Sequence, residues 1–175
     1  MAVYTSINKS ELEDWLKNFS IGTLKNFKGI SSGVTNTNYF VETDTTKLIL
    51  TIFEENKLEE LPFYLDLMRF LASKNFPCPL PVINNNNDYL TLIKNKPAVL
   101  VSFLLGAEKE SITEDDCCSV GEALAKLHTS AKDFSGKKKN SRNIDWISTK
   151  FNELKKRLSG SDQTIIEQEI DYQKN

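Results

Sequence analysis

This sequence is poor in the residues that most often carry metal and redox chemistry. Of its 175 residues one is histidine, His128, and three are cysteines, Cys78, Cys117 and Cys118. A lone histidine excludes any two-histidine metal motif, and an odd set of cysteines with two adjacent fits neither a disulfide framework nor a zinc spacing. The cysteines read instead as small reduced core residues of a cytoplasmic protein. No apolar run approaches the roughly 20 residues that span a bilayer, so no membrane partner is expected. The opening MAVYTSINKSELEDW is polar and acidic, unlike a signal or transit peptide. Excess positive charge is absent as well. With 22 Lys+Arg against 24 Asp+Glu the net charge is −2, which argues against a nucleic-acid partner. Neither a Walker phosphate loop nor a GxGxxG dinucleotide fingerprint occurs.

What is present describes an ordinary globular chain, 39% hydrophobic and 26% charged, long enough for one domain or two small lobes. Ser10 and Glu13 have capping-box spacing, and Leu12, Trp15, Leu16 and Phe19 then form one helical stripe. From Thr23 to Phe53 the strings TLKNFKGI, NTNYFVET and KLILTIF read as three antiparallel strands separated by turn residues. A helix follows from about Leu58 to Lys74, with Pro62 in its first turn and Asn75 suited to the left-handed position after its end. The segment Pro77-Cys78-Pro79-Leu80-Pro81 must be extended. Two further strands, DYLTLI and AVLVSFLL, flank a turn at 94–97. After Gly106 the pattern is helical. Thr113 and Asp116 open one helix whose Cys117, Gly121, Leu124, His128 and Ala131 share a face. Ile147, Phe151, Leu154 and Leu158 mark the next helix, and Ile166 with Ile170 a last one.

Few motifs carry chemistry. His128 lies within LAKLH on an apolar face, the setting of a packed, hydrogen-bonded core histidine rather than of a base. The string from Gly29 to Asn38, GISSGVTNTN, is a small polar hairpin loop that could lay its N–H groups over a polyphosphate. A plain hairpin turn explains the same residues. The Lys137-Lys138-Lys139 cluster sits in a Gly/Ser/Asn-rich connector and reads as a solvated loop.

The order of elements is that of a protein-kinase-like small lobe followed by the first helices of a large lobe. The strings GVTNTNYFVET, LILTIFE, ELPFYLDLMRFLASKNFPCPLPV, KPAVLVSFLLG and VGEALAKLH, with MAVYTS before them, resemble bacterial homoserine kinases of the aminoglycoside-phosphotransferase-like type, over roughly residues 1–147. The resemblance implies an α+β fold: residues 1–105 as a lobe with a five-stranded antiparallel sheet and a hinge, and 106–175 as the start of a helical lobe. It implies ATP and Mg2+ as cofactors, L-homoserine as substrate and transfer of the γ-phosphoryl to its hydroxyl, a step toward threonine. Carried over residue by residue, Ser32, Gly33, Val34, Thr35, Asn36, Thr37 and Asn38 are the phosphate-loop candidates. Ser102, Phe103 and Leu104 are the hinge candidates, and Leu50, Ile52 and Val99 the apolar walls of an adenine slot.

Three departures accompany the resemblance. Thr51 stands where kinases of this fold place a third-strand Lys, and Lys47, on the same face, is about 13 Å away at ~3.3 Å per residue. Tyr64 lies near the position of that Lys's Glu partner. No His-Gly-Asp…Asn string occurs, so the chain reads as an N-terminal portion, inactive alone, with catalytic residues and metal ligands expected in the remaining lobe. Other small-molecule kinases of this fold (choline/ethanolamine or methylthioribose type) and a non-catalytic nucleotide-binding module are the competing readings.

Overall fold

Period-two alternation builds the sheet. In the computed structural model, which describes residues 3–107 and 109–174, β1 (Leu24–Gly29), β2 (Asn36–Thr43) and β3 (Lys47–Phe53) form the expected meander. Met1 and Ala2 of the opening string lie outside the described residues. β4 (Leu90–Ile93) and β5 (Lys96–Ser102) complete a five-stranded antiparallel sheet in the order β1-β2-β3-β5-β4. The β4–β5 turn is tighter than the sequence suggests. Lys94 and Asn95, at φ 49° and 61°, form a two-residue hairpin that pairs Ile93 with Lys96. Pro97 is tolerated inside β5 because pairing with β3 begins only at Ala98.

Each face of the sheet is covered by one helix. α1 (Lys9–Leu16) buries Leu12, Trp15 and Leu16 against Val41, Leu50, Ile52 and Leu100. Its cap is Asn8 with Glu11 rather than Ser10 with Glu13. The same spacing occurs at both places, and the earlier start gains helical bonds such as Leu12 N–H to Asn8 C=O at 3.1 Å. On the opposite face α2 (Leu61–Ser73) packs Leu65 against Val99 and Val101. Pro62 sits in its first turn, and Asn75 adopts φ 58° just past its end. The proline-rich link then runs extended beside β5, bridging Pro81 to Val101.

A polar cluster ties the N-terminal segment to the α1 face. The Thr37 hydroxyl accepts from the N–H groups of Tyr4 and Thr5 and donates to Glu54, while Lys96 pairs with Glu54 and donates to Thr5. Burial pushes the Glu54 carboxyl up, but the bonds from Lys96, Thr37 and Thr5 outweigh it and hold it below the usual glutamate value. A depressed folded-state value means that this stabilisation is complete above the unfolded-state value and is lost as pH falls through the folded one. Glu54→Gln is therefore expected to lower stability at neutral pH and to flatten the acid limb of a stability–pH profile. An unchanged acid limb would show that the cluster is not linked to folding.

Thr113 and Asp116 cap α3 (Glu114–Ala131) as expected, but no residue of α3 is buried. His128, Cys117 and Cys118 are exposed, not core residues, and Cys78 is half-buried. Aromatic packing in this region is supplied by Phe134, which meets Phe63 edge-on at 5.8 Å and Phe70 at a tilt at 5.4 Å, while the stripe of α3 stays largely uncovered. The chain divides into two compact units, Met1–Gly136 and Lys137–Asn175, at the lysine-rich connector. In the second unit Asn143 caps α4 (Ile144–Leu154), and α5 (Gly160–Lys174) buries Ile170 as α4 buries Phe151. The compositional change at Gly106 thus marks the end of the sheet, whereas the spatial division comes later, because α3 packs on α2.

Candidate functional site

Strand alternation decides which side chains can meet a ligand. Thr37, Tyr39 and Val41 point toward α1, so Asn36, Asn38 and Phe40 lie on the α2 side. On β3 the same rule sends Leu50 and Ile52 into the core, both fully buried, and turns Ile49, Thr51 and Phe53 to the α2 side. With Val99 and Val101 of β5, Tyr64, Leu65 and Met68 of α2, Pro79, and Ser102, Phe103 and Leu104, they enclose an apolar groove of about 450 Å³. The adenine-slot expectation is thereby corrected at two of three positions. Val99 lines the groove, but Leu50 and Ile52 do not. Their neighbours Ile49 and Phe53 do, because residues one step from Thr51 must face the other way.

The β1–β2 loop lies beyond the groove. Ser32, Val34 and Thr35 are exposed, with Val34 at 82%, and Gly33 is half-buried. Thr37 is corrected as a side-chain candidate. It is fully buried on the far face, its hydroxyl taken by Tyr4, Thr5 and Glu54, which leaves only its backbone. Asn38 and Thr51 are brought together, the Thr51 hydroxyl donating to Asn38 Oδ1 at 2.8 Å. Asn36 Oδ1 is buried with no hydrogen-bond partner, an unspent acceptor. Thr51 supplies no charge, and Lys47 is engaged with Glu42 at 3.7 Å.

The hinge is partly committed to the fold. Ser102 N–H donates to Leu80 C=O at 2.9 Å, and Phe103 N–H donates to Lys47 C=O at 3.2 Å. The Ser102 hydroxyl accepts from Leu80 N–H, and the Phe103 ring stands edge-on to Phe40 at 5.4 Å. Of the three hinge candidates, Leu104 is the one whose N–H has no protein acceptor among the described residues. Behind the groove, Cys78 donates its S–H to Met68 C=O at 3.2 Å, and burial pushes its thiol value up. The Tyr89 phenol donates to Asp66, which with burial raises its value against the opposing pull of Arg69.

Ile49, Phe53, Met68 and Pro79 are not among the site candidates read from the sequence, although the alternation around Thr51 contains the signal for the first two. Among the described residues no group of three or more His, Cys, Asp or Glu side chains is placed to hold a metal ion. No helix among them is long and apolar enough to cross a membrane.

Comparison with known proteins agrees with this fold. The phosphotransferase enzyme family (APH) matches residues 26–172. A homoserine kinase from Methylobacillus flagellatus is 42% identical over 146 residues, covering 83% of this chain and 46% of that protein. One from Paraburkholderia phymatum is 35% identical over 173 residues, covering 99% of this chain and 54% of that protein. This chain thus spans about half the length of these curated relatives. An amicoumacin kinase solved with AMP-PNP, Ca2+ and Ami superposes with a TM-score of 0.62 at 14% identity, over 95% of this chain and 52% of that one. A microcompartment-associated aminopropanol kinase gives 0.63 at 19% identity, over 79% and 46%. The sheet order and these matches agree, and the chain belongs to the phosphotransferase enzyme family.

Proposed function

We propose that this chain is the nucleotide-binding half of a homoserine kinase, which transfers the γ-phosphoryl of ATP to the L-homoserine hydroxyl. The observation that carries the reading is the groove between the sheet and α2, apolar where a purine would lie, with the β1–β2 loop following from the Asn36–Phe53 end of the strand pairing. The substrate class comes from the homoserine kinases matched along nearly the whole chain. Residues 1–105 are assigned to the nucleotide lobe with its hinge, and 106–175 to the beginning of the helical lobe. Adenine enters against Ile49, Val99 and Phe103, with Leu104 N–H available to it, and Thr51 and Asn38 stand between the purine and the loop. Phosphate binding falls to backbone N–H groups of Ser32, Gly33, Val34 and Thr35, since no cation faces the groove at Thr51. Mg2+ belongs to the reaction of such kinases. A cytoplasmic setting fits the three free thiols.

ATP is expected to bind this chain weakly, with Kd no better than about 1 mM, because the third-strand cation is absent. Amide shift changes should centre on 32–38, Thr51 and 102–104. A chimera joining residues 1–172 to the remaining half of the M. flagellatus kinase should phosphorylate L-homoserine. A folded chimera without turnover, or ATP shifts clustered along α3, would sink the assignment.

A further inference from the structure

The loop at 31–35 is held from behind by the N-terminal segment. Gly29 lies against Val3, close enough that a Cβ there would come within 2.8 Å of Val3 Cγ2. Tyr4 N–H and Thr5 N–H both donate to Thr37 Oγ1, at 2.9 and 3.0 Å, which places this segment on the α1 face of β2. The Tyr4 side chain then reaches past the root of the loop, and its phenol donates to Val34 C=O at 2.8 Å. Among the described residues no other hydrogen bond is made to the loop between Ser32 and Thr35. In a trans peptide the C=O of one residue and the N–H of the next point in opposite directions, and no cis peptide occurs in the described residues. A Val34 carbonyl held by Tyr4, whose backbone lies on the α1 face, therefore turns the Thr35 N–H away from Tyr4.

We propose that Tyr4 is a positioning residue for the phosphate-binding loop: by pinning the Val34 carbonyl from behind, it aims the Thr35 N–H at the nucleotide phosphates. This inference rests on the nucleotide reading above and adds to it a residue that never touches the ligand. Because the loop carries no cation, oriented N–H groups are what it can offer a polyphosphate, and an unpinned Val34–Thr35 peptide is free to turn its carbonyl toward the anion instead. Tyr4 is not among the residues that line the groove, whose adenine end lies at Ile49, Val99 and Phe103.

Tyr4→Phe keeps the ring and removes only the phenol hydrogen bond, and Tyr4 is 58% exposed, so the fold should survive. The full 175-residue chain and this variant are titrated with ATP and with adenosine, following amide shifts. The expected result is ATP binding weakened about three- to ten-fold, the size of one lost hydrogen bond, with adenosine binding and thermal midpoint unchanged. Equal ATP affinity in the two proteins would overturn the positioning role while leaving the nucleotide site standing. Equal weakening of ATP and adenosine would also overturn it, as a general structural effect. Wild-type protein whose loop amides ignore ATP while those around the groove respond would overturn the role together with the loop's share of the nucleotide reading. Exchange of the Thr35 amide proton gives an independent check. ATP should slow it in the wild type and not in Tyr4→Phe, and equal slowing in both would count against the proposal.

Discussion

Purified 175-residue chain, incubated with ATP, Mg2+ and L-homoserine, is expected to form no O-phosphohomoserine above a no-protein control. Phosphoryl transfer is catalysed mainly by positioning and by charges placed where negative charge develops, with a base to accept the hydroxyl proton. The groove offers a hydroxyl at Thr51, an amide at Asn38 and loop N–H groups, but no metal-ligand cluster among the described residues and no facing cation. Loss of a base or of an electrostatic stabiliser each costs on the order of 10² or more in rate, and the losses need not add. Weak nucleotide binding without turnover is the predicted combination. Turnover that tracks the purified chain would contradict it and would direct attention to Asp66, whose carboxylate already accepts from Tyr89, and to the exposed His128.

The second large effect is on stability. Leu50 is exposed to neither solvent nor groove; it is packed among Val41, Ile52 and Leu100 under α1. Leu50→Ala should remove ~2–5 kcal/mol by lost transfer energy plus a residual cavity. For a chain of this size that lowers the thermal midpoint by roughly 10 °C. Ile49→Ala, one residue away on the groove side, should cost less stability and weaken adenosine binding instead. The pair separates the two faces of β3 in one experiment. If Leu50→Ala were thermally mild and selectively impaired nucleotide binding, the assignment of the faces would be reversed.

That distinction also separates what was legible in the sequence from what was not. The three strands of the meander, the helix expected from about Leu58 that begins at Leu61 with Pro62 in its first turn, the left-handed Asn75 and the cap at Thr113 all follow from local chemistry: period-two alternation, turn residues, capping spacings. Local rules act over a few residues, so they survive without tertiary information. Where two local solutions competed, as at Asn8–Glu11 and Ser10–Glu13, spacing alone could not rank them, and the longer helix won.

Burial and the far partners of polar groups were decided only by the tertiary structure. His128 and Cys117 lie on a stripe with helical period, yet α3 leaves them exposed, because amphipathicity states which face could be buried and not whether anything covers it. Thr37 and Asn38 are neighbours of similar polarity in one string; the pleat sends one to the N-terminal segment and Glu54, the other to Thr51. The reach of Tyr4 to Val34 spans 30 positions and has no periodic signature at all. The sequence by itself determined the elements, their order and the family they resemble, because these depend on local preference and on matching strings. The tertiary structure decided which side of each strand meets the groove and which distant residue holds the loop, because those depend on register and on contacts between segments far apart in the chain.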